Sequence, residues 1–211
     1  MILHGYWRSG AAYRVRIALN LKRLDYIQAP HDLRTGAQRD AAFLALNPQG
    51  LVPALETGDG MTITQSPAIL EWLEERYPDP ALLPDGLEAR ATVRAMAALI
   101  GCDIHPLNNL RVLNALRTDF GADGDATSRW TTQWIGQGFA ALETLIARHG
   151  AGFAFGATPT IVDCYLVPQV YSAERFSVDL TPYPHLVAAC EQARVLPAFD
   201  AAHPSRQPDA D

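Results

Sequence analysis

The sequence predicts an α/β segment followed by an all-helical one. Three observations carry this. Strand-like and helix-like stretches alternate over the first 80 residues, a Pro- and Gly-rich stretch follows at 78–87, and beyond it apolar residues recur almost wholly at helical spacing. A chain of 211 residues holds one domain or two small ones, and either can bury a sizeable core. The expected division is an α/β domain over 1–80 and a helical domain over 87–211.

The elements follow in order. Residues 1–6 are short and half apolar, as an opening strand is. In 11–22, Val15, Ala18, Leu19 and Leu21 fall near helical spacing, with Arg14, Arg16, Lys22 and Arg23 offset from them. Residues 25–30 read as a second strand. A short helix over 38–46 ends at the Asn47-Pro48 turn signal. Residues 51–55 and 61–64 are strands flanking Gly58-Asp59-Gly60, a hairpin signal. Ser66-Pro67 opens a helix that runs to about Tyr77, with Ser as N-cap and Pro at the first helical position. The order is β-α-β-α-β-β-α. Helices are then expected over 89–109, 126–149, 160–173 and 183–195, with an irregular polar stretch at 203–211. Thr160 and Asp163 fit a capping box with Asp in place of Glu, a structural and not a catalytic pair.

Composition removes several function classes. Hydrophobic residues make up 48% and charged residues 19%, which is a globular and not a disordered balance. Lys plus Arg is 17 and Asp plus Glu is 23, a net charge of −6 with pI about 5.5. That balance argues against nucleic acid as a partner, and an anionic substrate would need cations gathered locally. Cys102, Cys164 and Cys190 are far apart and lack ligand spacing, as expected of reduced thiols in a cytoplasmic protein. No apolar run approaches the ~20 residues that span a bilayer, and the opening residues lack the apolar stretch of a secretory signal.

Several residues carry possible chemistry. Ser9 falls where a strand gives way to a helix. It reads as a plain N-cap, the commoner role, or as a hydroxyl donating to a thiolate and lowering its pKa beside the helix N-terminus. Val52-Pro53 opens a strand. The ordinary reading is a trans bond, and a cis bond would turn the backbone groups of Val52 outward for pairing with an extended peptide. Gln65-Ser66 opens a helix, as a cap or as a carboxylate site. Asp103 and His105 lack a third clustered ligand, so no metal is expected. Arg8, Arg111 and Arg175 are either solvated surface charges or the cations that converge on a dianion, for which the planar guanidinium fork suits carboxylates. Cys164 and Cys190 lie in apolar helical segments as inert core thiols.

The chain resembles the zeta class of glutathione transferases, which includes maleylacetoacetate and maleylpyruvate isomerases. The resemblance rests on Arg8-Ser9 followed by Tyr13-Arg14-Val15-Arg16-Ile17-Ala18-Leu19, on Ala45-Leu46-Asn47-Pro48, on Val52-Pro53 and on Gln65-Ser66-Pro67-Ala68-Ile69. It continues through Leu166-Val167-Pro168-Gln169-Val170, Ala173-Glu174-Arg175-Phe176, Val178-Asp179-Leu180-Thr181-Pro182 and His203-Pro204-Ser205-Arg206-Gln207-Pro208-Asp209, in order over nearly the whole chain.

The resemblance implies the glutathione transferase fold, a thioredoxin-like α/β N-terminal domain plus an all-α C-terminal domain, in a homodimer. It implies glutathione as cofactor and glutathione-dependent cis–trans isomerisation of a maleyl keto-dicarboxylate by reversible thiolate addition. Ser9 matches the hydroxyl that faces the glutathione sulfur, and Val52 the residue whose backbone pairs with the cysteinyl part. Gln65 and Ser66 match the pair at the γ-glutamyl end, and Gln38 sits at the glycyl end. His105, Asn109 and Arg111 fall in the stretch that reaches toward glutathione and substrate, while Arg8 and Arg175 match positions that hold substrate carboxylates. Arg8 is the candidate for stabilising the developing enolate, with His105 or Asn109 assisting. One departure stands out: Ala11 replaces the cysteine usual in the class, which removes a protein thiol but not the one glutathione brings. The alternative within enzymes is a general glutathione transferase that conjugates or dehalogenates small electrophiles.

Overall fold

The computed structural model describes residues 1–211. The chain divides into two compact units, Met1–Leu82 with Arg194–Asp211, and Leu83–Ala193. The expected partition assigned all of 87–211 to the helical domain. The structure instead returns Arg194–Asp211 to the first unit, because the helix after the boundary packs on the first helix of the chain.

The first unit is built on a four-stranded sheet in the order β2-β1-β3-β4. Strand β1 (Ile2–Gly5) pairs in parallel with β2 (Ile27–Pro30) and antiparallel with β3 (Ala54–Glu56), which pairs antiparallel with β4 (Thr62–Thr64). A parallel neighbour needs a crossover, and α1 (Gly10–Leu21) supplies it between β1 and β2. The other helices here are α2 (Ala41–Leu46), α3 (Ser66–Arg76) and α9 (Pro197–Ala202).

Helix α1 packs on both α3 and α9. That explains a departure from its sequence pattern: Arg14, Arg16 and Lys22, offset from the apolar stripe, are buried at 3%, 1% and 4% exposure. Buried charges need partners, and each has them. Arg14 donates to Ser66 Oγ at 3.3 Å. Arg16 donates to the carbonyls of Ala202 and Trp7 at 3.0 and 2.9 Å. Lys22 Nζ donates to Glu74 Oε2 at 2.8 Å and to the carbonyls of Tyr77 and Pro80 at 2.6 and 2.9 Å.

The second unit is helical: α4 (Leu87–Ala98), α5 (Leu110–Thr118), α6 (Gly124–His149), α7 (Ile161–Arg175) and α8 (Pro184–Arg194). Its core includes Val93, Met96, Ile100, Ile135, Phe139, Leu142, Val162 and Leu166, all fully buried. The helix expected over 89–109 is three pieces: α4, a π-helical turn Leu99–Ile104 and a 3-10 turn His105–Asn108. Pro106 has no N–H to carry an α-helical ladder through this stretch. The chain therefore starts again at α5, a helix the periodicity did not show, capped by Asn109, whose Oδ1 accepts from Arg111 N–H at 3.1 Å. The Thr160–Asp163 capping box is present. Asp163 is fully buried and accepts from Ala154 N–H, Thr160 N–H and Thr160 Oγ. Burial pushes its carboxyl up to about 6 against the pull of those donors. No helix is long and apolar enough to cross a membrane.

Candidate functional site

Arg8, Ser9, Gln38, Val52, Gln65 and Ser66 lie in the first unit, and His105, Asn109, Arg111 and Arg175 in the second. Ser9 sits at the N-terminus of α1, and both readings of it meet there. Its Oγ accepts from Ala12 N–H at 3.3 Å, so it is the N-cap. A hydroxyl has two lone pairs and one hydrogen, so capping leaves the O–H available to donate. The loop around it is tightly held: Ser9 N–H donates to Tyr6 C=O and Ser9 C=O accepts from Tyr13 N–H, both at 2.9 Å. Arg8, half-buried, holds its guanidinium 5.1 Å from the centre of the Trp7 ring, in cation–π contact. Its charge also helps hold the Asp32 carboxyl below its usual value, a smaller effect than the hydrogen bonds Asp32 accepts from Arg34.

Ser66 departs from expectation by one position. It is the first residue of α3 and not its cap. Gln65 holds the cap position, with no side-chain capping bond. Gln65 has φ +69° and ψ 116°, a conformation rare for a residue with a Cβ. Such outliers persist where the surroundings enforce them, and they cluster at ligand sites. Pro67 follows with no N–H, and Ile69 N–H returns to Gln65 C=O at 3.0 Å. The Ser66 hydroxyl is buried at 3% exposure and accepts from Arg14, which ties the start of α3 to α1.

The segment between α2 and β3 joins the remaining residues. The Val52–Pro53 peptide bond is cis, and the strand begins at Ala54. Neither backbone polar group of Val52 is hydrogen-bonded within the chain. Asn47 shapes the loop: its Nδ2 donates to Leu51 C=O at 2.6 Å and its Oδ1 accepts from Gln49 N–H at 3.1 Å. Gln49 Oε1 accepts from Gln65 Nε2 at 2.6 Å. Gly50, at φ +64°, lies so close to the Gln38 segment that a Cβ would sit 3.2 Å from Gln38 C=O. Gln38 lies in a 3-10 turn, Ala37–Arg39, with its Oε1 buried and without a partner. The structure thus brings Gln38, Val52, Gln65 and Ser66 together through the 47–52 loop. Asn47, Gln49 and Gly50 went unremarked in the sequence as site residues, although the Asn47-Pro48 turn marked the place.

Sequence reasoning also missed a chain of titratable groups. His4 Nε2 meets Glu56 Oε1 at 2.6 Å and His4 Nδ1 meets His31 Nε2 at 2.9 Å. Both rings pack on Phe43 of α2. Burial first, then His4, holds the His31 pKa below its usual value, with Asp40 pulling the other way. The three residues lie 27 and 52 positions apart in the chain, so no local pattern signals them.

In the second unit, His105 opens the 3-10 turn, half-buried, and Asn109 caps α5. Asn109 spends its Oδ1 on the cap, and Arg111 stands exposed on the first turn. Arg175 is the last residue of α7, where a cation suits the helix dipole, and its guanidinium lies 5.9 and 5.8 Å from the Tyr171 and Phe176 rings.

A family model described as glutathione S-transferase, N-terminal domain, matches residues 8–76, and one described as glutathione S-transferase, C-terminal domain, matches 125–204. Maleylpyruvate isomerase from Ralstonia sp is 53% identical, covering 100% of both chains. Maleylacetoacetate isomerase from Pseudomonas aeruginosa is 52% identical, over 99% of this chain and 98% of its own. Among solved structures, a holo maleyl pyruvate isomerase, a bacterial zeta-class glutathione S-transferase, superposes with TM-score 0.97 at 52% identity over 100% of both chains. Maleylacetoacetate isomerase from Anaeromyxobacter dehalogenans with bound glutathione superposes with TM-score 0.91 at 47% identity, over 100% of this chain and 97% of its own.

Proposed function

The chain belongs to the glutathione S-transferase family, and from that premise we propose how its own residues carry out the reaction. It is a glutathione-dependent cis–trans isomerase of a maleyl keto-dicarboxylate, maleylpyruvate or maleylacetoacetate, of the zeta class. Glutathione, when bound, supplies a thiolate that adds reversibly to the cis double bond so that the bond can rotate, and it is regenerated.

The residues of the first unit fit that tripeptide. The open backbone groups of Val52 suit its cysteinyl amide. The start of α3, with Gln65 and Ser66, suits its γ-glutamyl carboxylate. The buried, unpartnered Gln38 Oε1 accepts an N–H at the glycyl end.

The observation that carries the mechanism is the cap at Ser9. With one lone pair committed to Ala12 N–H, the hydroxyl donates its hydrogen to the sulfur. The N-terminal end of α1 adds positive potential. Both favour the ionised thiol. Arg8 provides the cation for the charge that develops on the substrate keto oxygen, the kind of preorganised stabilisation that is usually the largest single catalytic contribution. Arg111 and Arg175 are assigned to substrate carboxylates, and His105 and Asn109 to assisting roles toward glutathione and substrate, on the family resemblance. On the same ground we assign a homodimer. A cytoplasmic location is proposed from the three thiols, none of which is in a disulfide.

An ultraviolet assay of maleylpyruvate and maleylacetoacetate, with and without glutathione, tests the reading. Turnover that requires glutathione without consuming it supports isomerisation. Stoichiometric depletion of glutathione would identify a conjugating transferase instead. Comparable kcat/KM on both substrates would mean a shared isomerase.

A further inference from the structure

The segment that returns to the first unit, Arg194–Asp211, bears on the loop carrying Arg8 and Ser9. Trp7 is the residue before Arg8, and both of its backbone polar groups are held from outside the loop. Its N–H donates to Asp209 Oδ2 at 2.9 Å, across 202 positions of sequence. Its C=O accepts from Arg16 Nη2 at 2.9 Å, and the same guanidinium donates through Nε to Ala202 C=O at 3.0 Å. Arg16 is 1% exposed, so this fork is shielded from water and strong. The returning segment is itself anchored. Gln207, 6% exposed, donates to the carbonyls of Ala201 and His203 and accepts from Gln28 Nε2 on β2 at 2.7 Å. Asn20 of α1 donates to Ala198 C=O at 3.0 Å.

We propose that Asp209, together with the Arg16 fork, is a positioning device for the catalytic loop: by fixing Trp7 at its N–H and C=O, it aims the Ser9 hydroxyl at the glutathione sulfur. The inference rests on the glutathione-dependent reading of Ser9. Asp209 and Arg16 each act through the Trp7 backbone, two residues before the hydroxyl. Rate is sensitive to such aim, since a misplacement of about 1 Å costs on the order of 100-fold.

Charge alone and positioning predict opposite signs, which makes the inference testable. Removing a nearby negative charge, by itself, lowers the pKa of a bound thiol. Releasing Trp7 raises it, because the Ser9 donor no longer faces the sulfur. The experiment compares Asp209→Ala, Asp209→Asn and Arg206→Ala with the unaltered chain. Asn keeps an oxygen acceptor for the Trp7 N–H without the charge. Arg206→Ala breaks only an exposed pair with Asp200 in the same segment. Three quantities are read: amide hydrogen exchange at Trp7 in protein without glutathione, the thiol pKa of bound glutathione from thiolate absorbance, and kcat against KM for isomerisation.

Asp209→Ala should speed Trp7 exchange, raise the bound thiol pKa by about one unit and lower kcat about tenfold, with KM for glutathione little changed. Asp209→Asn should restore Trp7 exchange and kcat and leave the thiol pKa at or below that of the unaltered chain, as loss of charge alone does, and Arg206→Ala should move none. An unchanged or lowered thiol pKa in Asp209→Ala overturns the proposal even if Trp7 exchange rises, as does an equal effect from Arg206→Ala. If the unaltered chain turned over neither maleyl substrate, the isomerase reading would fall. The exchange and thiol measurements would still decide the positioning.

Discussion

Ser9 has two roles in this structure, and substitution separates them. The cap is the bond from Ala12 N–H to Ser9 Oγ. Replacing a Ser cap by Ala costs about 1 kcal/mol, whereas Gly costs only a few tenths. For a chain of this size about 1 kcal/mol lowers Tm by roughly 2–4 °C. The second role is donation to a thiolate, a charge-assisted bond of about 1.5–3 kcal/mol, equivalent to roughly one to two pKa units. Ser9→Gly should therefore leave Tm nearly unchanged, raise the bound thiol pKa by about one to two units and lower kcat/KM at neutral pH by about tenfold or more. Ser9→Ala should show the same thiol shift with the additional fall in Tm. Because the loss is one of ionisation, part of the rate should return as pH rises toward the new thiol pKa. Differential scanning calorimetry, thiolate absorbance and a pH–rate profile provide the three readouts. If Ser9→Gly kept its thiol pKa and its rate, Ser9 would be a cap and nothing more. A loss that did not recover at high pH would also refute the ionisation argument.

Other outcomes follow from the same geometry. Arg8→Ala should cut kcat/KM for the maleyl dicarboxylate by about 100-fold, with Lys restoring part of it, since mutating one preorganised donor costs about 100- to 1,000-fold; steady-state kinetics near the unaltered rate would remove Arg8 from the mechanism. Lys22→Met should destabilise the chain by about 3–5 kcal/mol in chemical denaturation, because it removes the cation that balances the buried Glu74 carboxylate, and Glu74→Gln in the same background should recover part of the loss. Burial lowers the His31 pKa, so below about 6.5 the unfolded chain takes up a proton that the folded chain resists, and stability falls as the pH drops through that range. His31→Asn should flatten this acid-side decline in Tm, and an identical slope in the variant would show that another group is responsible.

How legible the molecule was depended on the range of each interaction. Cap and turn signals are local, so the Thr160–Asp163 box, the Asn47-Pro48 turn and the cap at Ser9 could be read from a few adjacent residues. Periodicity was weaker wherever two surfaces competed for one helix. Of the cations offset from the apolar stripe of α1, Arg14, Arg16 and Lys22 are buried against α3 and α9, while Arg23 stays exposed. The single helix expected over 89–109 broke into a π turn and a 3-10 turn, since apolar spacing does not register a change of pitch. Ser66 was expected as the cap because Ser-Pro is a strong start signal, and the cap is instead Gln65, at positive φ and bonded through Nε2 to Gln49 of the 47–52 loop.

By itself the sequence determined the β-α-β-α-β-β-α order of the first 77 residues and the cap and turn signals along it, because these follow from side-chain chemistry and near-neighbour spacing. Only the tertiary structure decided that 194–211 closes back on α1, that Arg16 and Asp209 hold Trp7, and that His4, His31 and Glu56 form one chain. Those contacts join positions from 9 to 202 apart, and a hydrogen bond between distant residues leaves no period or motif in the chain that forms it.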